Sequence, residues 1–327
     1  MSDHSDDKVQ FIYGPIQKEL SLVEQGLRGL AAGAAPHMSG LLDHVMEGRG
    51  KMVRPAITIL SSQLHPGDPQ LAVTMATAVE LLHIATLIHD DTVDNSSVRR
   101  GRATVSCRWG KNVAVLLGDF VFALSARFVC DTGNNGVVRR FAETIMDLSS
   151  GELAEVFGAY DWHQTYEGYQ ERIRQKTASL FRIAAEGGAA LSAAPEEAVE
   201  ALSAFGTNIG MAFQIVDDIL DFQGDPKEVG KPVGSDLLQG TVTLPAIMVL
   251  ERYPVDNPIK RVFRGEDREE NLRRTLQMIH DSTIIQDSYK VAHQFRDAAI
   301  AALHRLPEAR ARQSLEALAE YVTERRK

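Results

Sequence analysis

Two short runs of this sequence carry the same acidic pattern: two aspartates, two spacers and a third aspartate. They lie at residues 90–94 (DDTVD) and 217–221 (DDILD). On a helix, the first and last aspartate of each run lie one turn apart on the same face, about 6 Å between Cβ atoms. Two such charges repel by roughly 2–3 kcal/mol at an effective dielectric near 20, so each run calls for a cation.

The donor chemistry of the two runs indicates Mg²⁺. Neither run contains His or Cys, and oxygen-only donors select a hard cation. Paired carboxylates suit Mg²⁺ carrying phosphate groups better than a closed Ca²⁺ cage. A single acidic triplet usually lies on a solvent-exposed helix surface and binds nothing. Two triplets of the same pattern beside apolar sequence favour a metal site. The candidate metal ligands are Asp90, Asp91, Asp94, Asp217, Asp218 and Asp221.

Basic residues in four segments could complete a phosphate site. Arg supplies bidentate phosphate contacts and Lys a point charge. Taken singly, each is more often a surface charge than a ligand, and the two arginines after the first run could merely pair with its aspartates. Together they suggest two anion sites, one bridged by metal and one held directly by Lys and Arg. The candidates are Lys51, Arg54, Arg99, Arg100, Lys176, Thr177 and Lys231.

His83 has a distinct position relative to the first run. It precedes Asp90 by seven residues, or two helical turns, so it shares the face of that aspartate at a distance of about 10 Å. A lone His on an apolar helix is usually a hydrogen-bonded core residue. Because His83 lies on the same face as the acidic run, a contact with diphosphate is an equally good interpretation here.

Apolar residues recur at helical spacing along almost the whole chain, with Gly and Pro between the periodic stretches. No convincing alternating strand is present. This pattern, with 44% hydrophobic and only 6% aromatic residues, predicts an all-α protein. No linker-like stretch divides it, so we expect one domain over residues 9–327. The acidic, polar residues 1–8 predict a disordered tail that is neither a signal nor a transit peptide.

Composition excludes several other classes of protein. A net charge of −9 argues against a general nucleic-acid binder, because phosphate backbones reward a basic face. The two cysteines, Cys107 and Cys130, lie in no CxxC pattern, which fits a reducing, cytoplasmic location without a zinc site. The most apolar window, residues 71–88, contains Glu80 and His83, so it predicts a buried core helix and no transmembrane segment.

From about residue 50 to the C-terminus, the chain resembles the trans-isoprenyl diphosphate synthases, the polyprenyl synthetase family, of medium- or long-chain type. At least six motifs carry the resemblance in the expected order. They are GKMVRP at 50–55, the segment 80–94, RRG at 99–101, GD at 118–119, GEL at 151–153, KT at 176–177, the segment 213–221 and the segment 230–236.

The resemblance implies an all-α helical bundle of the isoprenoid synthase type, in which two aspartate-rich helices border a central cavity, usually in a homodimer. It makes Asp90, Asp94 and Asp217 resemble ligands of Mg²⁺, with three ions per active site. Asp91, Asp218 and Asp221 would then be secondary ligands or support these ligands. Contacts to the allylic diphosphate would come from Arg99, Lys176, Thr177, Gln214 and Lys231, and the isopentenyl diphosphate pocket from Lys51, Arg54, His83 and Arg100.

The activity implied is head-to-tail, trans condensation of isopentenyl diphosphate with an allylic prenyl diphosphate. Its steps are ionisation of the allylic substrate, condensation, and elimination of a proton. The residues expected to act in catalysis are Asp90, Asp94, Asp217, Lys176, Lys231 and Arg99. A long product also implies transient membrane contact for its release.

Product length should depend on the side chains one turn before the first aspartate run. Ala85 and Thr86 are small where family members that stop at fifteen carbons typically carry aromatics. We therefore expect a product of at least twenty carbons, about twenty-five to fifty by family resemblance, with Leu82 as one candidate for the floor of the pocket. Ala85→Phe should shorten the product.

Two alternatives stay open: a shorter-chain farnesyl or geranylgeranyl synthase, and the catalytic subunit of a heteromeric long-chain synthase. A terpene cyclase is disfavoured by the second complete aspartate run, and a non-catalytic subunit would have lost its aspartates. The chain departs from the family pattern twice. Thr241 stands where many relatives have lysine, which predicts weaker diphosphate anchoring, and Glu155 stands where an amide is commoner.

Overall fold

The computed structural model describes residues 3–47, 50–223 and 233–324, and helices dominate these ranges. The prediction of an all-α protein is confirmed. Within the described ranges, β-structure beyond an isolated bridge is limited to one antiparallel hairpin of two-residue strands, β1 (Val98–Arg99) and β2 (Arg102–Ala103).

The helices follow one another with short connections. In chain order they are α1 (Asp3–Tyr13), α2 (Gln17–Ala32), α3 (Pro36–Glu47), α4 (Val53–Ser62), α5 (Pro69–Val93), α6 (Val105–Trp109), α7 (Lys111–Cys130), α8 (Asn135–Phe157), α9 (Tyr166–Ile173), α10 (Ser179–Ala190), α11 (Glu196–Gln223), α12 (Ser235–Gln239), α13 (Leu244–Arg252), α14 (Pro258–Arg264), α15 (Arg268–His280), α16 (Ile284–Leu303) and α17 (Arg310–Glu324). A 3₁₀ turn covers Gly14–Ile16, and a π-helical segment covers Arg174–Ala178.

The N-terminal tail differs from its prediction. Helix α1 begins at Asp3, so residues 3–8 are helical where the sequence predicted disorder; residues 1 and 2 lie outside the described residues. Farther along, Ile12 is fully buried, and Arg310 packs on the ring of Phe11 at 3.5 Å.

The backbone contacts define two compact units. The first comprises Met1–Glu143, Leu180–Ser203 and Leu303–Leu318. Its central helix, α5, is capped by Asp68, whose carboxylate accepts from the amide of Gln70 at 2.8 Å, with Pro69 in the first turn. Most of α5 is buried, as predicted for a core helix.

The second unit comprises Thr144–Ser179, Ala204–Ala302 and Ala319–Lys327. Its core is an aliphatic cluster contributed mainly by α11, α13 and α16. The fully buried members include Ile215, Val216, Ile219, Leu237, Val242, Val249, Ile259, Ile284 and Ala292. This packing fixes the carboxyl-terminal part of α11, which carries the second aspartate run.

Each unit is assembled from three separate stretches of chain, so no single cut in the sequence would isolate either one. The expectation of one domain over residues 9–327 stays a prediction. Two described helices, α5 and α7, have the length and apolar composition of a membrane span. Helix α5 is mostly buried inside the first unit, whereas α7 is less than half buried.

Candidate active site

The first aspartate run lies on the last turn of α5. Asp94 is the residue that ends the helix, and its amide donates to the carbonyl of Asp90 at 2.8 Å. Asp90 is half-buried and Asp94 exposed. The carboxyl end of a helix carries a partial negative charge, so carboxylates there are stabilised by a bound cation.

Asp91 points away from the face that Asp90 and Asp94 share. Its buried carboxylate accepts from Nε of Arg99 at 2.7 Å. Adjacent helical positions differ by about 100° in direction, which explains the divergence. Arg99 therefore pairs with an aspartate of the run, as one interpretation of the sequence held. This ion pair keeps Arg99 next to the acidic run.

The hairpin that follows presents the second arginine of the pair. Arg100 and Gly101 form its two-residue turn, with φ of +51° and +76°. Positive φ at both positions matches the turn type that suits a tight hairpin. A Cβ on Gly50 would lie 2.8 Å from the guanidinium of Arg100, so the guanidinium lies directly against the backbone at Gly50.

Helix α3 is tied to this hairpin by side chains that the sequence analysis did not single out. Arg102 forms an ion pair with Glu47 at 2.9 Å, and Nε2 of His44 lies 2.8 Å from the carbonyl of Ala103. These contacts join positions 55 and 59 residues apart, so nothing in the local sequence pattern could reveal them.

The structure brings together Arg54 and His83, which the family resemblance assigns to one pocket. Nη1 of Arg54 lies 3.3 Å from Nε2 of His83, and the guanidinium stacks over Phe181 at 4.4 Å. Burial holds the pKa of His83 well below its ordinary value, and the positive charges of Arg54, Arg100 and Arg99 add to the effect. The imidazole is therefore neutral, accepting from Arg54 and leaving its other ring nitrogen as a donor.

A cavity of about 90 Å³ lies beside this pair in the first unit. Its polar lining includes His83, Arg99 and Arg100, and its apolar lining includes Ile84 and Leu87. Arg102 and the acidic residues Glu80 and Asp91 also line the cavity, so three arginines outnumber two acids beside an aliphatic wall. Such an environment suits a phosphorylated, apolar molecule. Lys51 is exposed and precedes α4, in which Arg54 is the second residue.

The second aspartate run lies near the end of α11. Asp217 is half-buried, whereas Asp218 is buried and accepts from the hydroxyl of Tyr169 at 2.6 Å and from Nε2 of Gln214 at 2.8 Å. Burial raises the pKa of Asp218 to about 7. The two hydrogen bonds that it accepts, and the positive charge of Arg172, offset part of that increase. Asp218 thus anchors α11 to α9.

Asp221 accepts hydrogen bonds from residues that follow α11 in the chain. It accepts from the hydroxyl of Ser235 at 2.7 Å and from the backbone amide of Asp236 at 3.3 Å, so it satisfies free amides at the start of α12. Lys231, a predicted diphosphate contact, lies between α11 and α12 in the sequence and is outside the described residues. The backbone amide of Thr241 donates to the carbonyl of Asp236 at 2.9 Å.

Lys176 and Thr177 lie in the π-helical segment between α9 and α10. Such single-turn segments recur at functional sites because they re-aim side chains. The hydroxyl of Thr177 donates to Oε1 of Gln214 at 2.6 Å, which links two predicted diphosphate contacts. The backbone packs closely here: a Cβ on Gly151 would lie 2.5 Å from the amide nitrogen of Lys176.

The ammonium of Lys176 is held by two carboxylates of α8. It lies 2.8 Å from Glu152 and 2.6 Å from Glu155. Glu155 also lies 3.8 Å from Arg172, a buried residue that donates to the carbonyl of Val242 at 2.6 Å. Nothing in the sequence alone explains Glu155. In the structure its carboxylate contacts Lys176 and Arg172.

The carboxylates could hold a metal, but they do not converge into a preformed cage. Within residues 3–47, 50–223 and 233–324, no three His, Cys, Asp or Glu side chains are grouped in that way. Asp91, Asp218 and Asp221 accept hydrogen bonds from protein groups, whereas Asp90 and Asp217 are partly exposed and Asp94 is exposed. This division fits Mg²⁺, which binds through one or two carboxylates plus substrate phosphates. The six ligand assignments stay predictions.

The predicted chain-length residues occupy two faces of α5. Leu82 and Ala85 are buried in the first unit, whereas Thr86 is half-buried and shares the face of His83 and Asp90. The hydroxyl of Thr86 donates to the carbonyl of His83 at 2.8 Å. Thr86 is therefore the better placed of the three to meet a ligand.

Comparison with known proteins adds to this geometry. Residues 35–282 match the family model described as polyprenyl synthetase. The chain is 33% identical to heptaprenyl diphosphate synthase component 2 of Bacillus subtilis, over 98% of this chain and 92% of the relative. It is 36% identical to nonaprenyl diphosphate synthase of Mycobacterium tuberculosis, over 88% and 87%.

A solved structure shows the same architecture. The polyprenyl synthase of Caulobacter crescentus, complexed with calcium and isoprenyl diphosphate, superposes with a TM-score of 0.92 at 30% identity. The match covers 98% of each chain. The fold is therefore the all-α isoprenoid synthase fold expected from the sequence.

Proposed function

The chain belongs to the polyprenyl synthetase family and is a prenyltransferase, and from that premise we propose that it condenses isopentenyl diphosphate with an allylic prenyl diphosphate to make a polyprenyl diphosphate. The observation that carries this proposal is that each aspartate run contacts polar residues that the family resemblance assigns to diphosphate binding. Arg99 contacts the run at the end of α5, and Gln214, hydrogen-bonded to Thr177, contacts the run in α11.

Isopentenyl diphosphate would bind at the basic cluster of the first unit. Neutral His83 has an N–H to donate, Arg100 lines the cavity and would supply charge that pairs with a diphosphate, and Arg54 adds charge beside His83. The aliphatic wall formed by Ile84 and Leu87 suits the five-carbon group. Lys51, exposed just before α4, would close on the diphosphate as a further point charge.

The allylic diphosphate would be held by Mg²⁺, with Asp90, Asp94 and Asp217 as ligands and three ions per site. The oxygen-only donors and the negative end of α5 support a hard divalent cation, and the Caulobacter crescentus relative is complexed with calcium. When bound, the metal neutralises charge on the departing diphosphate. Lys176, Thr177, Gln214, Arg99 and Lys231 would supply the direct contacts.

The residues would promote three bond changes. The allylic C–O bond breaks while Lys176 and Arg99 stabilise negative charge on the leaving diphosphate. The double bond of isopentenyl diphosphate then forms the new C–C bond with the allylic cation. A proton leaves the adjacent carbon and goes to the released diphosphate, which restores a double bond. Apolar walls exclude the water that would otherwise capture the cation.

We propose a long product, at least twenty carbons and about twenty-five to fifty. The side chains of Ala85 and half-buried Thr86, one turn before the first aspartate run, are small where a bulky residue would shorten the product. The names of the relatives, heptaprenyl and nonaprenyl synthase, support this range. A farnesyl or geranylgeranyl synthase remains the shorter-chain alternative.

For the assembly we propose a homodimer in the cytoplasm, with transient membrane contact when the product leaves. Helix α7 exposes Val115, Leu116 and Phe120, and an exposed apolar face of this kind supports burial against a second chain. The Bacillus subtilis relative is named as component 2 of its synthase, which supports a heteromeric alternative.

The test is incorporation of labelled isopentenyl diphosphate by the purified chain with a fifteen-carbon allylic primer and Mg²⁺. We expect turnover that EDTA abolishes and that falls by about a hundredfold or more in Asp90→Asn and Asp217→Asn. Asp131→Asn, at an exposed position ending α7, is the matched control. Metal-independent turnover, or full activity in both aspartate variants, would contradict the proposal.

A further inference from the structure

Four charged side chains form a cluster around Lys176 in the second unit. Glu152 and Glu155 of α8 contact its ammonium at 2.8 and 2.6 Å, and Glu155 also approaches Arg172 at 3.8 Å. Three of the side chains are about a quarter exposed, and Arg172 is buried. Two acids and two bases give the cluster a formal charge of zero.

The geometry fixes this cluster in place. Glu152 and Glu155 are three residues apart on α8, so they lie on one helical face. Gly151 lets the backbone of α8 approach the π-helical segment at Lys176, where a Cβ would come within 2.5 Å of a backbone atom. Arg172 is pinned by Gln164 at 2.7 Å and by the carbonyl of Val242 at 2.6 Å. The lysine therefore cannot leave its carboxylates by a simple shift of backbone.

The second carboxylate changes what an anion meets at Lys176. With an uncharged amide at position 155, the cluster would carry a formal charge of +1, and the amide oxygen could still accept from the ammonium. With Glu155, the positive charge of Lys176 is cancelled before any diphosphate arrives. A partly buried charge of this kind is screened by salt less than a surface charge is.

We propose that Glu155 sets how tightly the enzyme retains the diphosphate of its allylic substrate and product, by cancelling charge that Lys176 would otherwise present. This inference rests on the proposed function, in which Lys176 contacts that diphosphate. Weaker retention speeds release of the finished product, whose long apolar chain slows its departure. Glu155 is a positioning and charge-setting residue and takes no part in bond making.

The test compares Glu155→Gln with the unaltered chain in steady-state and single-turnover assays. We expect the KM for the allylic diphosphate to fall about fivefold. A partly exposed ion pair contributes about 1 kcal/mol, and that free energy corresponds to a fivefold change in affinity. The kcat should also fall, because release is slower, while the single-turnover rate of the first condensation stays unchanged. The KM for isopentenyl diphosphate should not move.

Three further variants separate charge from structure. Glu155→Asp keeps the charge and should keep the KM of the unaltered chain. In a Lys176→Gln background, Glu155→Gln should no longer lower the KM. Glu143→Gln, which removes an exposed carboxylate paired with Arg139 on the same helix, is the matched control and should have no effect. An unchanged or raised KM in Glu155→Gln, or the same shift without Lys176, would overturn the inference.

A binding measurement distinguishes failure of this inference from failure of the proposed function. Calorimetric titration with inorganic pyrophosphate and Mg²⁺ needs no turnover. Tighter pyrophosphate binding by Glu155→Gln supports the charge-setting role even if no prenyl product forms, in which case only the proposed function fails. Equal binding by both proteins overturns the role of Glu155 even if condensation is observed.

Discussion

Nη1 of Arg54 lies 3.3 Å from Nε2 of His83, a contact between residues 29 positions apart on α4 and α5. The guanidinium also covers the ring of Phe181 at 4.4 Å. Both side chains therefore have fixed orientations, and the neutral imidazole keeps one N–H to donate. This pair is the best-defined part of the proposed isopentenyl diphosphate pocket.

Replacing Arg54 should weaken binding of only one substrate. Arg54→Met keeps the aliphatic stem but removes the charge, so the KM for isopentenyl diphosphate should rise about tenfold or more, the worth of a charged hydrogen bond. The KM for the allylic substrate should be unchanged. Arg139→Met, at an exposed arginine paired with Glu143, is the control for steady-state kinetics. Equal changes in both KM values would contradict the assignment.

The close approach of α8 to the π-helical segment predicts sensitivity at Gly151. Gly151→Ala would place a Cβ 2.5 Å from the amide nitrogen of Lys176, so the segment must shift. We expect a loss of about 1–3 kcal/mol in the free energy of unfolding and a higher KM for the allylic substrate. Gly29→Ala, in α2 with nothing within 4 Å of the added Cβ, should be neutral or stabilising by up to about 1 kcal/mol. Urea denaturation compares the two; equal stabilities would refute the steric argument.

Asp218 predicts a pH dependence of stability. Its pKa of about 7 in the folded chain exceeds its ordinary value, so the folded chain binds this proton more tightly than the unfolded chain. The stabilisation is complete below the ordinary pKa and is lost as the pH rises through about 7, by at most about 1.4 kcal/mol per pH unit. Metal-free Asp218→Asn should show a flatter dependence between pH 5 and 8 in urea denaturation. Identical slopes for both proteins would contradict the prediction.

Thr86 tests the account of product length. Thr86→Phe puts an aromatic ring on the half-buried face that Thr86 shares with Asp90, so the product should lose one or more five-carbon units. Thr74→Phe, on the same helix and also half-buried, is the matched control. Ala85→Phe should act in the same direction, but Ala85 is fully buried, and overpacking would add a stability cost of about 1–3 kcal/mol. Reversed-phase chromatography of dephosphorylated products measures the change; an unchanged length in Thr86→Phe would refute it.

The helical fold could be predicted because its signal is local. Apolar periodicity and the positions of Gly and Pro are properties of short windows, and the apolar window at residues 71–88, predicted as a core helix, lies within α5. Residues 3–8 were predicted wrongly, because polar sequence alone does not reveal a helix that continues into buried Ile12.

The candidate site could be predicted in residue type but not in its contacts. The spacing within each aspartate run indicated which carboxylates share a face. It could not show that Asp218 meets Tyr169, 49 positions away, or that Glu155 meets Lys176, 21 positions away. Such contacts depend on which helices pack together, and no pattern in this single sequence encodes that packing.

The most direct measurement is the size of the product made by the purified chain alone. The reaction contains Mg²⁺, labelled isopentenyl diphosphate and, in separate tubes, allylic primers of five, fifteen and twenty carbons. We predict one long product, above twenty carbons, and loss of that product in Asp90→Asn. A stop at fifteen carbons would contradict the proposal that the small side chains before the first aspartate run permit a long product. No turnover by a folded chain that still binds Mg²⁺ and pyrophosphate would contradict a self-sufficient enzyme.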